Sequence, residues 1–419
     1  MKKIIIASIF AREILDSRGN PTIETEVVLR GGKKAWAGVP SGASTGSHEA
    51  HELRDKDKNR YHGMGVKKAV QSVNNNISPA LRKKKFSSIK EIDNAMIALD
   101  GTKNKSSLGA NAILSVSMAC CRAFALEEKI PLYRYIRKSL FPEITKKTLP
   151  KCMMNVINGG VHAGWSADFQ EYMIIPQMKS ASKQIQCGSE IFHELQRVLH
   201  KNGHATTVGD EGGFAPRVGN NEVPLKLISL AVQKTKYRLG KDVRFGLDIA
   251  ANEFYKHGFY YLNRGGKKMS SKELVNIYSE IIAKHPIATL EDPFAEDDWN
   301  AWTTATRKFG KKITVIGDDL FVTNPQRLLR GIDSRAANAI LIKLNQIGSV
   351  SETASAILLA KKHSYKTIIS HRSGETTDDF ISDLAVACGA DYLKAGSLSR
   401  GERITKYNRL MEIENELQQ

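Results

Sequence analysis

Ala339-Ile340-Leu341-Ile342-Lys343-Leu344-Asn345-Gln346 sets one lysine at the end of an apolar run. Such a run forms a strand buried on both faces, as in a parallel sheet covered by helices. An isolated ammonium is costly to bury, so Lys343 either reaches water or sits where chemistry needs it. Taken alone, it reads as a strand-end lysine with its head in solvent. The flanking sequence changes that reading. Five further apolar runs, at 245–248, 288–291, 315–318, 368–371 and 392–394, end in Asp248, Glu291, Asp318, His371 and Lys394. From Glu291 onward these terminal residues, Lys343 included, are 27, 25, 28 and 23 positions apart. Each step has room for one strand, one helix and two loops. Runs at 152–157 and 172–176 bring the strand count to eight, and this predicts a (β/α)8 barrel. Functional groups of such barrels project from the C-terminal ends of the strands, where these charged residues fall.

Upstream the texture differs. Residues 4–37 read as strands broken by the turn cluster Asp16-Ser17-Arg18-Gly19-Asn20-Pro21. Pro40-Ser41-Gly42-Ala43-Ser44-Thr45-Gly46 reads equally as a plain surface loop or as a lid over a ligand. Helical periodicity follows at 65–81, 89–99 and 108–126. The division expected is an α+β domain over 1–137, a linker over 138–150 and the barrel over 151–419.

Composition narrows the class. The 419 residues carry a formal charge of +18, which suits contact with nucleic acid, a membrane surface or anionic small molecules. The densest basic run, Arg82-Lys83-Lys84-Lys85, is short and lacks aromatic company, so it reads as a solvated face. Five cysteines with no CxxC spacing argue against a disulfide framework or a thiolate metal site, and for a reducing cytoplasm. The apolar run near the N-terminus passes straight into Arg12 and Glu13 and reads as a first strand, not a signal peptide. No segment reads as a membrane span.

Three carboxylates on consecutive strands, Asp248, Glu291 and Asp318, are hard oxygen ligands that suit Mg²⁺. A cation beside Lys343 lowers that lysine's pKa and makes it a general base for a proton next to a carboxylate. His371-Arg372-Ser373-Gly374 and Lys394-Ala395-Gly396-Ser397 follow the seventh and eighth strands, where barrels commonly hold a phosphate. Val208-Gly209-Asp210-Glu211-Gly212-Gly213-Phe214 offers Glu211 as a general acid, or is a turn with a solvated acid. His162, Gln170 and Glu171 are further candidates, although a lone His162 would more often be structural.

With these residues in place, the chain resembles the enolase family. The motifs DSRGNPT, PSGASTG, GANAILSVS, VGDEGGFAP, EDPFAEDDW, GDDLFVTN, ILIKLNQIGS and SHRSGET carry the resemblance along nearly the whole chain. It implies a barrel whose first two strands form a hairpin, followed by two helices before regular alternation. It implies a reversible dehydration of 2-phospho-D-glycerate to phosphoenolpyruvate in glycolysis and gluconeogenesis, by a homodimer or a higher homo-oligomer. Lys343 matches the base and Glu211 the acid. Asp248, Glu291 and Asp318 match ligands of one Mg²⁺, and Ser44 a ligand of a second that arrives with substrate. Arg372 and Ser373 match phosphate contacts, with His371 beside them, and Lys394 matches a contact to the substrate carboxylate. His162, Gln170 and Glu171 match residues that close round the substrate, with Glu171 supporting Glu211. Ala395 and Asn252 stand where threonine and serine are commoner, and the basic charge is unusual for the family.

Two other readings are weighed against this one. A racemase or sugar-acid dehydratase of the enolase superfamily would lack the Arg372–Ser373 phosphate site. A basic protein that binds RNA or an anionic surface would not need every matched catalytic position filled.

Overall fold

The computed structural model describes residues 3–42, 48–145, 148–262 and 266–418, apart from the side chain of His162. Ser44 therefore lies outside the described residues. The N-terminal part builds an antiparallel sheet from β1 (Ile4–Leu15), β2 (Pro21–Leu29), β3 (Lys34–Gly38) and β4 (Lys85–Phe86), in the order β3-β2-β1-β4. The turn between β1 and β2 is made by Asp16, whose carboxylate accepts from the backbone N–H groups of Arg18 (2.8 Å) and Asn20 (2.9 Å). Gly19 supplies the left-handed residue that such a turn needs, at φ +76°.

Helix Ala110–Glu128 lies across this sheet, its Ser115 hydroxyl 2.6 Å from that of Thr25. By length and hydropathy it alone among the described residues would cross a membrane, contrary to the sequence reading. Its most apolar window is 83% buried, so its apolarity is that of a core helix covered on both faces. The five cysteines are buried and unpaired.

The barrel is formed by β5 (Lys151–Asn158), β6 (Glu171–Pro176) and β7 (Val243–Asp248), then, beyond a small sheet of β8 (Tyr255–Lys256), β9 (Phe259–Leu262) and β10 (Lys267–Met269), by β11 (Ile287–Glu291), β12 (Thr314–Gly317), β13 (Ala339–Ile342), β14 (Lys366–Ser370) and β15 (Tyr392–Lys394). It closes in the order β11-β12-β13-β14-β15-β5-β6-β7. Strand β6 runs antiparallel to both neighbours, and the other pairings round the barrel are parallel. The hairpin of β5 and β6 is followed by helices Ala181–Lys201 and Val223–Gln233 before β7, so the strictly alternating pattern gives way to a ββαα start. The last turn of helix Leu132–Leu140 extends into the stretch expected as linker.

Strand pleat decides which side chains face the lumen. Met153, Met173, Ile175, Ile316, Leu341, Ile368 and Tyr392 form a separate apolar cluster, drawn only from barrel strands, that fills the interior. Their strand neighbours Cys152, Ile174, Val315, Ile342, Ile369 and Leu393 belong to the outer core under the helices. Stepping two residues along each strand from that apolar plug reaches Asn155, Glu171, Asp318, Lys343 and Lys394. In β11 the register slips between Ile287 and Thr289, and this brings Glu291 level with Asp248. The plug thus makes an apolar floor, and the next inward residue on each strand is polar.

The two parts meet where helix Ile89–Asp100 touches the start of the barrel helix Val350–Lys362. The Asp93 carboxylate accepts from the Ser351 N–H at 2.9 Å, and the Ser117 hydroxyl accepts from the Val350 N–H at 3.1 Å. Burial pushes the Asp93 carboxyl up to about 6, although hydrogen bonds from Ser117 and Ser351 act against it. Ionising Asp93 therefore costs the folded protein more than the unfolded chain. That cost is absent below about pH 4 and complete above about pH 6. Asp93→Asn is expected to raise the thermal midpoint at pH 7.5, by about 2 kcal/mol of stability, and to have no such effect at pH 4. Thermal melts of both proteins across that range check the sign.

Candidate active site

The inward polar residues converge on a cavity of about 260 Å³ at the barrel rim, lined by Gln170, Glu171, Glu211, Asp248, Asp318, Lys343, His371, Arg372, Ser373 and Lys394 among others. Glu291 is fully buried beside this wall, its Oε1 accepting from Lys394 at 2.8 Å. His162 falls in the short helical turn Gly160–Ala163, whose Val161 also lines the cavity. A larger cleft of about 630 Å³ lies between the N-terminal sheet and the loop at 375–379. Charge convergence, not size, singles out the smaller one.

Lys394 is the electrostatic centre. Its Nζ lies 3.0 Å from Asp248, 2.8 Å from Glu291 and 3.3 Å from Glu171. Burial pushes its pKa down, but Asp248, Glu171 and Glu291 outweigh this and hold it well above the usual lysine value. Glu171 reaches the rim because β6 is antiparallel: its first residue sits level with Asp248, the last of β7. Burial raises the carboxyls of Glu171 and Glu291 well above the carboxylate range; Glu211 reinforces the first and Asp248 the second.

Lys343 bonds Asp318. Burial would lower its pKa, yet the Asp318 charge outweighs this and raises it. The same pair works in reverse on Asp318, where burial pushes up and Lys343 pulls the carboxyl below its ordinary value. In the protein alone, then, Lys343 is held protonated, opposite to the lowering expected beside a cation.

Glu211 enters from the loop before helix Val223–Gln233. Phe214 ties that loop to β5, donating to the Val156 carbonyl (2.9 Å) and accepting from the Asn158 N–H (2.8 Å). Gly212, at φ +84°, would place a Cβ 2.6 Å from the Ser399 carbonyl, so no larger residue fits there. Asn155 donates to Glu211 Oε2 at 3.1 Å, and His371 Nε2 stands 3.8 Å from the same oxygen. Burial keeps His371 neutral, its pKa well below that of free histidine despite Glu211. Glu211 is thus anchored on β5 and Lys343 follows β13, with β14 and β15 between them round the rim.

Arg372 reaches Glu49 at 3.2 Å and donates to Asn345 Oδ1 at 3.2 Å. Ser373 accepts from Arg18 at 3.5 Å. An arginine with a serine beside it on the loop after the seventh strand suits an anionic oxygen cluster.

Several supporting residues escaped the sequence reading. Gln346 donates to Asp318 Oδ1 (3.1 Å) and accepts from the Thr323 hydroxyl (2.7 Å), which accepts in turn from the Lys343 N–H (2.9 Å). Thr323 and Val322 hold φ of 55° and 42°, a costly region for β-branched residues, and this turn aims the hydroxyl. Asp292 accepts from the N–H groups of Asp318 and Asp319, both at 2.9 Å. Gln346 lies in a motif already quoted, and inward alternation along β5 would have found Asn155. Thr323 also lies in a quoted motif, GDDLFVTN, but nothing in the motif marks its role.

The site can hold a divalent cation. Oxygens of Asp292, Asp318 and Asp319 lie within 4.8 Å of one another. Asp248 and Glu291 add two more carboxylates, and Glu291 Oε2 is buried without a hydrogen-bond partner. A buried, unpartnered carboxylate oxygen among acids is what a hard cation satisfies.

Comparison with known proteins agrees. The family model described as "Enolase, N-terminal domain" matches residues 6–136, and "Enolase, C-terminal TIM barrel domain" matches 146–419. The chain belongs to the enolase family. It is 49% identical, over 98% of its own length and 96% of the relative's, to "Enolase 1" of Methanospirillum hungatei JF-1. Enolase membership makes it a lyase acting on a small molecule with a metal cofactor, and the acidic cluster lies at the C-terminal ends of the parallel barrel strands.

Proposed function

We propose that this enolase removes water from 2-phospho-D-glycerate, reversibly giving phosphoenolpyruvate, at the rim cavity. The observation that carries this reading is that Lys343, just after β13, and Glu211, on a loop anchored to β5, line one cavity, with Arg372 and Ser373 beside them. Asp248, Glu291 and Asp318 would hold one Mg²⁺, and Ser44 with the substrate a second. A metal held there would supply positive charge that offsets the Asp318 carboxylate and the negative charge developing on the substrate.

With the Asp318 charge engaged, burial and the nearby Arg372 and Lys394 cations favour neutral Lys343. Its Nζ then takes the C2 proton. Protonated Lys394, held by three acids, contacts the substrate carboxylate in this reading, and Arg372 and Ser373 take the phosphate. Glu211, kept in place by Asn155, donates a proton to the C3 hydroxyl as it leaves. Glu171 supports Glu211, and His162 and Gln170 close round the substrate. Neutral His371 beside Glu211 adds no competing charge. The discriminating experiment offers D-glycerate alongside 2-phosphoglycerate: turnover requires the phosphate. Equal turnover of both would favour a superfamily dehydratase.

Gln346→Leu removes the donor that fixes Asp318 and the acceptor for Thr323. It is expected to weaken Mg²⁺ binding and lower kcat/KM by about 10–100-fold, with the fold intact by circular dichroism. Calorimetric Mg²⁺ titration checks it.

The same reading divides the chain at 1–137, 138–150 and 151–419 and places it in the cytoplasm, where five unpaired thiols persist. It also makes the protein a homodimer. Phe10, Leu15, Trp36 and Leu126 leave about half or more of their surface exposed round the larger cleft and the adjoining sheet face, an area that a second copy would cover.

A further inference from the structure

The basic charge is unevenly spread. Residues 1–137 hold 24 of the 62 Lys and Arg but 13 of the 44 Asp and Glu. The fold concentrates it again. At the start of β1 the Ile5 carbonyl accepts from the Arg30 N–H at 2.8 Å, Lys85 pairs with Ile5 from the other side, and the Lys83 N–H donates to the Ile6 carbonyl at 3.0 Å. The run at 82–85, which in sequence looked like an isolated solvated face, thus shares one corner of the sheet with Arg30 and Lys33. With strands about 4.8 Å apart, the backbones of residues 30 and 85 stand about 10 Å apart across β1.

All six side chains, Arg30, Lys33, Arg82, Lys83, Lys84 and Lys85, are exposed, and no described carboxylate forms an ion pair with any of them. The neighbouring acid Glu91 is committed to the Ser87 N–H at 2.8 Å. None of the large exposed apolar side chains of the chain lies within these two segments. One acid stands in this corner, Glu127, whose carboxylate lies against Gly31 between Arg30 and Lys33; the six cations around it still repel one another, so a repeated anion relieves the corner. Absence of an apolar wedge disfavours membrane insertion, and absence of a stacking aromatic disfavours recognition of unpaired bases.

We propose that this corner docks a nucleic-acid duplex through its phosphates, without reading bases, separately from the barrel site. The test is fluorescence anisotropy of the whole protein with a 25-base-pair duplex of arbitrary sequence, between 50 and 200 mM salt. Binding is expected, with a slope of log K against log salt of about −4 to −5, as about five neutralised phosphates give. Arg82→Glu/Lys84→Glu/Lys85→Glu, which avoids the left-handed Lys83, should weaken binding at least tenfold and flatten the slope by about 3, with turnover of 2-phosphoglycerate unchanged. The matched variant Arg307→Glu/Lys308→Glu/Lys311→Glu, on the barrel, should keep affinity within about threefold. Equal losses from both variants would show attraction by overall charge and overturn the assignment. So would absence of duplex binding, with or without binding to phosphatidylserine vesicles.

Discussion

Lys343→Ala is expected to lower turnover of 2-phosphoglycerate by about 10³–10⁴-fold and to abolish exchange of the C2 proton with solvent, because no other group would take that proton. Of the other ionisable inward residues at this level, Asp318 is bonded to Lys343 itself, Lys394 is an ammonium locked among three carboxylates, and Glu171 is one of those three. A second effect follows from the pairing. Removing Lys343 leaves the buried Asp318 without its cation, a loss that costs several kcal/mol in sites of this kind. The variant should therefore melt lower than the parent without metal and recover most of the difference when Mg²⁺ is added. Mg²⁺ affinity should remain near that of the parent or tighten, since the competing ammonium is gone. Loss of metal binding in Lys343→Ala would mean that the lysine is structural and that the base lies elsewhere.

Glu211→Gln should separate the two halves of the reaction. Glutamine keeps an oxygen to accept from Asn155, so the loop anchored by Phe214 and Gly212 is preserved. What it loses is the proton for the departing hydroxyl. Dehydration is expected to fall by about 10³-fold, within the range that general acids contribute. Exchange at C2, monitored by NMR in deuterated water, should persist at a measurable fraction of the parental rate. If Lys343→Ala and Glu211→Gln lost exchange equally, the assignment of separate base and acid would be wrong.

Much of the fold was legible in the sequence because parallel strands buried on both faces leave near-continuous apolar runs. Six such runs here end in a polar residue, and their spacing carries the barrel. The site residues at 248, 291, 318, 343 and 394 were legible for the same reason, since each ends or directly follows one of those runs. Glu171 was harder. An antiparallel strand brings its first residue, not its last, to the rim, and nothing local marks β6 as reversed. The Glu211 loop was awkward to place until the ββαα start was in view. Thr323 lay inside the quoted GDDLFVTN, but its role depends on a left-handed backbone that composition does not advertise. The basic corner was missed for a similar reason: residues 30 and 85 are far apart in sequence and adjacent only through β1. Distances along the chain report strands well. They report neighbours across a sheet poorly.

The most direct test of the rim assignment is the ultraviolet absorbance of the enol product, recorded with purified protein and 2-phosphoglycerate, first with Mg²⁺ and then with excess chelator. A rise that depends on Mg²⁺ and stops on chelation is expected. No rise from folded protein, or a rise that chelator leaves untouched, would contradict the account.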